Sequence, residues 1–67
     1  MMPQTLEELA MMISERDKIS FTDAADIVRD CAQNIEYAFY NGSLDLAEEI
    51  LATDLGLEPD YLELFIF

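Results

Sequence analysis

The chain has 67 residues, a net charge of −12 at neutral pH, 52% hydrophobic residues, one cysteine and no histidine. That length leaves no room for a second domain, the charge disfavours phosphate backbones and anionic membranes, and one cysteine excludes an internal disulfide. No stretch approaches membrane-spanning length and no basic region precedes an apolar run at the N-terminus, so a soluble protein without a signal peptide is expected, in a reducing cytoplasm. The hydrophobic half of the composition is more than one small core encloses, and some of that surface is expected to meet another chain.

In chain order, Met1 to Gln4 read as a frayed tail. Thr5 and Glu8 form a capping box, with Glu7 and Glu8 placed to favour the first turn. Leu6, Leu9, Ala10 and Ile13 follow at helical spacing and predict a first helix to about Arg16. Met11 and Met12 fall off that stripe. They either cover a neighbouring helix, stand singly exposed, or offer an adaptable contact surface. Asp17-Lys18-Ile19 is a turn short enough for an antiparallel helix pair.

Residues 20 to 41 contain the organising element. At about 100° per residue, Ala24, Val28, Cys31, Ile35 and Ala38 share one narrow stripe, flanked by Ile27 on one side and by Ala25, Ala32 and Phe39 on the other. This apolar arc covers nearly half the circumference, wide enough to meet more than one helix. Ser20 caps the start with Asp23 three residues on, Ile19 and Ala24 occupy the staple positions, and Asn41-Gly42 stops the helix. The opposite side holds Asp23, Asp26, Arg29, Asp30, Gln33, Glu36, Tyr37 and Tyr40, with Arg29 one turn from Asp26. Tyrosine beside carboxylates is an interface composition, and tyrosine covering the end of a small core is the commoner alternative.

Ser43 predicts the cap of a third helix, with Asp45 in its first turn and Leu46, Ala47, Ile50, Leu51 and Leu55 as its apolar face. Glu48, Glu49 and Asp54 point away or sit at its edges, and Gly56 ends it. Leu57-Glu58-Pro59-Asp60 is a tight link into a fourth helix starting at Pro59. The last run, Tyr61 to Phe67, fits two patterns. A helix groups Leu62, Phe65 and Ile66 and leaves Leu64 and Phe67 on another face, whereas a strand alternates them. A lone strand has no pairing partner, which favours the helix. Leu64 and Phe67 are then the candidate contacts of a two-fold homodimer. The fold expected is an all-α bundle of three or four short helices in one domain, residues 1–67.

The constellations that might carry chemistry are weak. Ala52 and Gly56, with leucines around them, resemble the packing of a helix-turn-helix, but the second helix offers Glu58, Asp60 and Glu63 and no base-reading side chain. Glu48-Glu49 and Glu58 with Asp60 do not follow the spacing of a calcium loop. Cys31 lies in the apolar stripe with no histidine to activate it and reads as a small buried hydrophobe. No catalytic residue, metal or cofactor is expected, and the chain reads as a binding protein rather than an enzyme.

Residues 43 to 64, Ser-Leu-Asp-Leu-Ala-Glu-Glu-Ile-Leu-Ala-Thr-Asp-Leu-Gly-Leu-Glu-Pro-Asp-Tyr-Leu-Glu-Leu, resemble the C-terminal half of short acidic proteins carried by phages and other mobile elements of bacteria. The resemblance covers about a third of the chain and transfers no site residue. It implies a setting in which small acidic proteins inhibit host nucleic-acid machinery, as anti-CRISPR and DNA-mimic proteins do. The expected function is therefore a block on a basic, nucleic-acid-handling host protein. Asp23, Asp26, Asp30, Glu36, Glu48 and Glu49 would stand in for phosphates, with Tyr37 and Tyr40 beside them. The alternative is a homo-oligomeric assembly module or antitoxin-like regulator whose acidity serves solubility.

Overall fold

The computed structural model describes residues 2–66 and is all-helical among them. The elements are α1 (Leu6–Asp17), α2 (Phe21–Tyr40), α3 (Leu44–Leu55) and a C-terminal 3-10 helix (Pro59–Phe65). The long helix α2 packs against all the others, and α3 also meets the 3-10 helix.

Each of the three α-helices begins where a hydroxyl satisfies an orphan amide of its first turn. The Thr5 Oγ1 accepts from the Glu8 amide at 3.0 Å, while the Glu8 carboxylate reaches back to the Gln4 amide at 2.8 Å. The Ser20 Oγ accepts from the Asp23 amide at 3.1 Å, and the Ser43 Oγ from the Leu46 amide at 3.3 Å. The ends are closed by left-handed residues. Gly42 (φ 73°) follows α2, and Gly56 (φ 66°) follows α3, where the Leu57 amide reaches back to the Leu51 carbonyl. At the end of α1 no glycine is available, and Lys18 itself takes the left-handed conformation (φ 58°, ψ 47°). Ser14 then latches the turn: its hydroxyl donates to the Ile19 carbonyl at 2.6 Å, and the Ile19 amide donates to the Ser14 carbonyl at 3.1 Å.

The core is assembled from Leu9, Ala10 and Ile13 of α1, the Ala24–Val28–Cys31–Ile35–Ala38 stripe of α2, and Ala47, Leu51 and Leu55 of α3. Leu57 and Leu62 close it. The α2 stripe is the one expected from periodicity, and none of the described polar or charged side chains is buried. Burying one of these leucines or isoleucines stabilises by roughly 1.5–3 kcal/mol, so this small set carries most of the fold.

Two expectations change. Leu46, expected on the apolar face of α3, is 40% exposed. At about 100° per residue it lies some 140° from the centre of the Ala47–Leu51–Leu55 stripe, outside the arc that α2 covers. The fourth helix has 3-10 rather than α geometry, with the Tyr61 amide donating to the Glu58 carbonyl. Three residues per turn align Pro59, Leu62 and Phe65. Leu62 is therefore buried, Leu64 and Phe65 are half-buried against the core, and Ile66, beyond the helix, is 49% exposed. Phe67 lies outside the described residues.

One tertiary tie had no signature in the sequence. The Arg16 Nη1 donates to the Leu55 carbonyl at 2.8 Å, placing a cation on an orphan acceptor at the C-terminus of α3. The same guanidinium grips the Asp17 carboxylate, and these hydrogen bonds hold the Asp17 carboxyl below its ordinary pKa.

Candidate partner-binding surface

The outer face of α2 is set by the inward commitment of its opposite stripe. With Ala24, Val28, Cys31, Ile35 and Ala38 buried, helical geometry turns Asp23, Asp26, Asp30, Glu36, Tyr37 and Tyr40 to solvent, and all six are exposed. At about 1.5 Å rise per residue, Asp23, Asp26 and Asp30 are strung along some 10 Å of one edge. Arg29 engages Asp26, so of these three carboxylates that one is partly neutralised. At the other end of the helix, Gln33, Glu36, Tyr37 and Tyr40 line one shallow recess.

The two tyrosines of this recess stand clear of the core. Tyr37 is 68% and Tyr40 90% exposed, so neither covers the core. Tyr61 does: it is half-buried, with its hydroxyl 4.0 Å from the Met12 sulfur. Glu48 and Glu49 stand apart from the α2 residues on α3. Glu49 is exposed on its outer side, and Glu48 is half-buried at the edge of the packed stripe. The structure thus brings Glu36, Tyr37 and Tyr40 together and spreads the remaining candidates over two helices.

Acidity is a property of the whole surface. Among the described residues the ion pairs are Arg16–Asp17 and Arg29–Asp26, which leaves all but two of the carboxylates without a cationic partner. Among the described residues every carboxylate side chain except that of Glu48 is exposed. Cys31 is chemically quiet: 1% exposed, with burial and, secondarily, the Asp54 carboxylate pushing its thiol up to about 11.

A second feature lies on the seam between α1 and α2. One recess, of about 350 Å³, is lined by residues that include Leu6, Ala10, Phe21, Ala25 and Ala32. It shares Phe21 and Glu7 with a neighbour that reaches Met11 and Glu15, and shares Leu6 and Ala32 with another that reaches Glu36, Phe65 and Ile66. Leu6 lies opposite Ala32 and Ser14 opposite Phe21, so α1 and α2 are antiparallel and the recesses follow one line. The width of the apolar arc on α2 was the only sign of this seam in the sequence. Phe21 carried no signal, because one aromatic at a helix start fits core and surface equally well.

No protein-family model, curated protein or solved structure matches this chain. None of the helices among the described residues is long and apolar enough to cross a membrane. The functional reading therefore rests on the chemistry of the surface.

Proposed function

We propose that this chain is an inhibitor that acts by binding, occupying the nucleic-acid site of a basic protein in the cytoplasm of a bacterial host. The observation that carries the reading is the set of exposed carboxylates, all but two without a cationic partner, on so small a helical body. A field of this sign raises the encounter rate with a basic cleft and opposes approach to nucleic acid itself. The α2 edge of Asp23, Asp26 and Asp30 supplies point charges, and Tyr37 and Tyr40 present faces on which arginine guanidinium groups stack. Catalysis plays no part in it: the thiol most suited to covalent chemistry is buried and held protonated.

Capture of bacterial proteins on the immobilised chain at low and high salt tests the proposal. The expected partner is basic, is displaced by duplex DNA, and is released as salt rises, because screening acts within about 8 Å at physiological ionic strength. The Asp26→Lys, Asp30→Lys variant should slow its association about tenfold or more. Salt-insensitive retention, or an unchanged association rate, refutes phosphate mimicry. In that event the self-assembling module, which the exposed Met11, Phe21 and Ile66 favour, becomes the better reading.

A further inference from the structure

We infer that the open seam between α1 and α2 is a docking groove for a basic amphipathic helix of the partner protein. This rests on the partner being basic, as proposed above, and assigns it a second and separate point of contact.

Shape is the first argument. Three adjoining recesses that share lining residues run along the seam from Met11 and Phe21 at one end to Phe65 and Ile66 at the other. Phe21 and Phe39 bracket it on α2, and at about 1.5 Å per residue they stand some 27 Å apart, the length of a helix of roughly 18 residues. Ala25 and Ala32 keep the α2 side low between those aromatics, and Ala10 does so on α1. A third helix can then approach at the usual interaxial distance of about 8–10 Å. Both walls are helices whose backbone groups are internally bonded. They offer side chains and no strand edge, so the occupant is bound as a helix in a groove and not by strand addition. Met11, 52% exposed at one end, is a side chain that repacks readily around different apolar knobs.

Charge is the second argument, and it selects among occupants. Glu15, Glu7 and Glu36 are spaced along the groove. The one base on its lining, Arg29, is engaged by Asp26. A second copy of this chain would bring its own −12 charge to the same rim and be repelled. A helix with leucine-like residues on one face and lysine or arginine along both margins satisfies the apolar floor and the acidic rim together.

The test uses the intact chain and a synthetic Leu/Lys peptide of about 18 residues, patterned as an amphipathic helix. Its controls are a peptide of identical composition scrambled to lose the pattern, and a Leu/Glu counterpart. Calorimetry at 0.15 M salt should show one peptide per chain, bound at least tenfold tighter than either control. Backbone amide shifts should move along Leu6, Ala10, Phe21 and Ala32. Two double variants alter net charge equally: Glu7→Lys with Glu15→Lys on the rim, and Asp23→Lys with Asp30→Lys on the outer face. The rim variant should lose tenfold or more in peptide affinity and the outer-face variant, which leaves the Asp26–Arg29 pair intact, less than threefold. Ala32→Phe, which fills the floor, should lose tenfold or more. Should it fail to fold, the rim variant, confined to exposed positions, decides alone.

Equal binding of the scrambled peptide, or equal loss in the two double variants, overturns the groove and leaves the acidic-mimic reading standing. A peptide bound at the groove, alongside partner capture that ignores the outer-face variant, retains the groove and removes phosphate mimicry. Sedimentation showing a dimer that protects Phe21 and Ala32 overturns the inference in favour of a second copy.

Discussion

Raising the pH should weaken this fold through Cys31. The thiol is 1% exposed between helices, and its pKa is pushed up to about 11, by burial first and by the Asp54 carboxylate second. In the unfolded chain a cysteine ionises near 8.5, about 2 to 2.5 units lower. Below pH ~8.5 both states hold the proton and Cys31 makes stability no steeper with pH. Between about 8.5 and 11 the unfolded chain loses the proton while the folded chain keeps it. The unfolded state then binds fewer protons, so stability falls as pH rises. Linkage gives a loss of about 2 kcal/mol at pH 10, approaching roughly 3 kcal/mol above pH 11. For a domain of this length total stability is on the order of 3–10 kcal/mol, so the loss is a large share. Urea unfolding followed by far-UV circular dichroism from pH 7 to 10 measures it, with Cys31→Ala as reference. That variant removes the thiol and leaves every other ionisable side chain in place. The two stability curves should diverge above pH 8.5 by the stated amount. A thiol reagent at pH 8 should react with the native chain only as fast as it opens. Parallel curves, or rapid modification without unfolding, would refute the burial argument and the rotation of α2 on which the outer face depends.

Lys18→Gly should stabilise, because Lys18 occupies a left-handed conformation that costs a residue with a Cβ about 1 kcal/mol. The greater freedom of glycine in the unfolded chain offsets part of this, leaving a gain of about 0.5 kcal/mol, or a melting temperature higher by about 2–4 °C. A lower melting temperature would mean that the α1–α2 turn is formed differently. Arg16→Met keeps the apolar stem and removes the donor to the Leu55 carbonyl, which should cost about 1 kcal/mol at this partly exposed site. Amide exchange at the end of α3 should quicken selectively. Unchanged stability and exchange would show that water serves that carbonyl equally well.

The sequence by itself determined the local structure. Thr5, Ser20 and Ser43 each place a hydroxyl within reach of an amide three residues on, and Gly42 and Gly56 tolerate the conformation that ends a helix. These are short-range effects, legible because both partners lie within one turn. The buried stripe of α2 was legible for a related reason: a 3.6-residue period repeated over about four turns outweighs any one ambiguous side chain. What extended past a single helix was not. The position of Leu46 depends on how much of α3 its neighbour covers, and the 3-10 geometry of Pro59–Phe65 on how a short segment fits the remaining gap. The Arg16–Leu55 bond joins groups 39 residues apart. Tyr37 and Tyr40 had the same composition whether they faced the core or solvent, and only the packing of α2 against its neighbours sent them outward. The groove is the furthest from the sequence, since it exists only because α3 and the 3-10 helix cover the other side of the α1–α2 pair and leave this seam open.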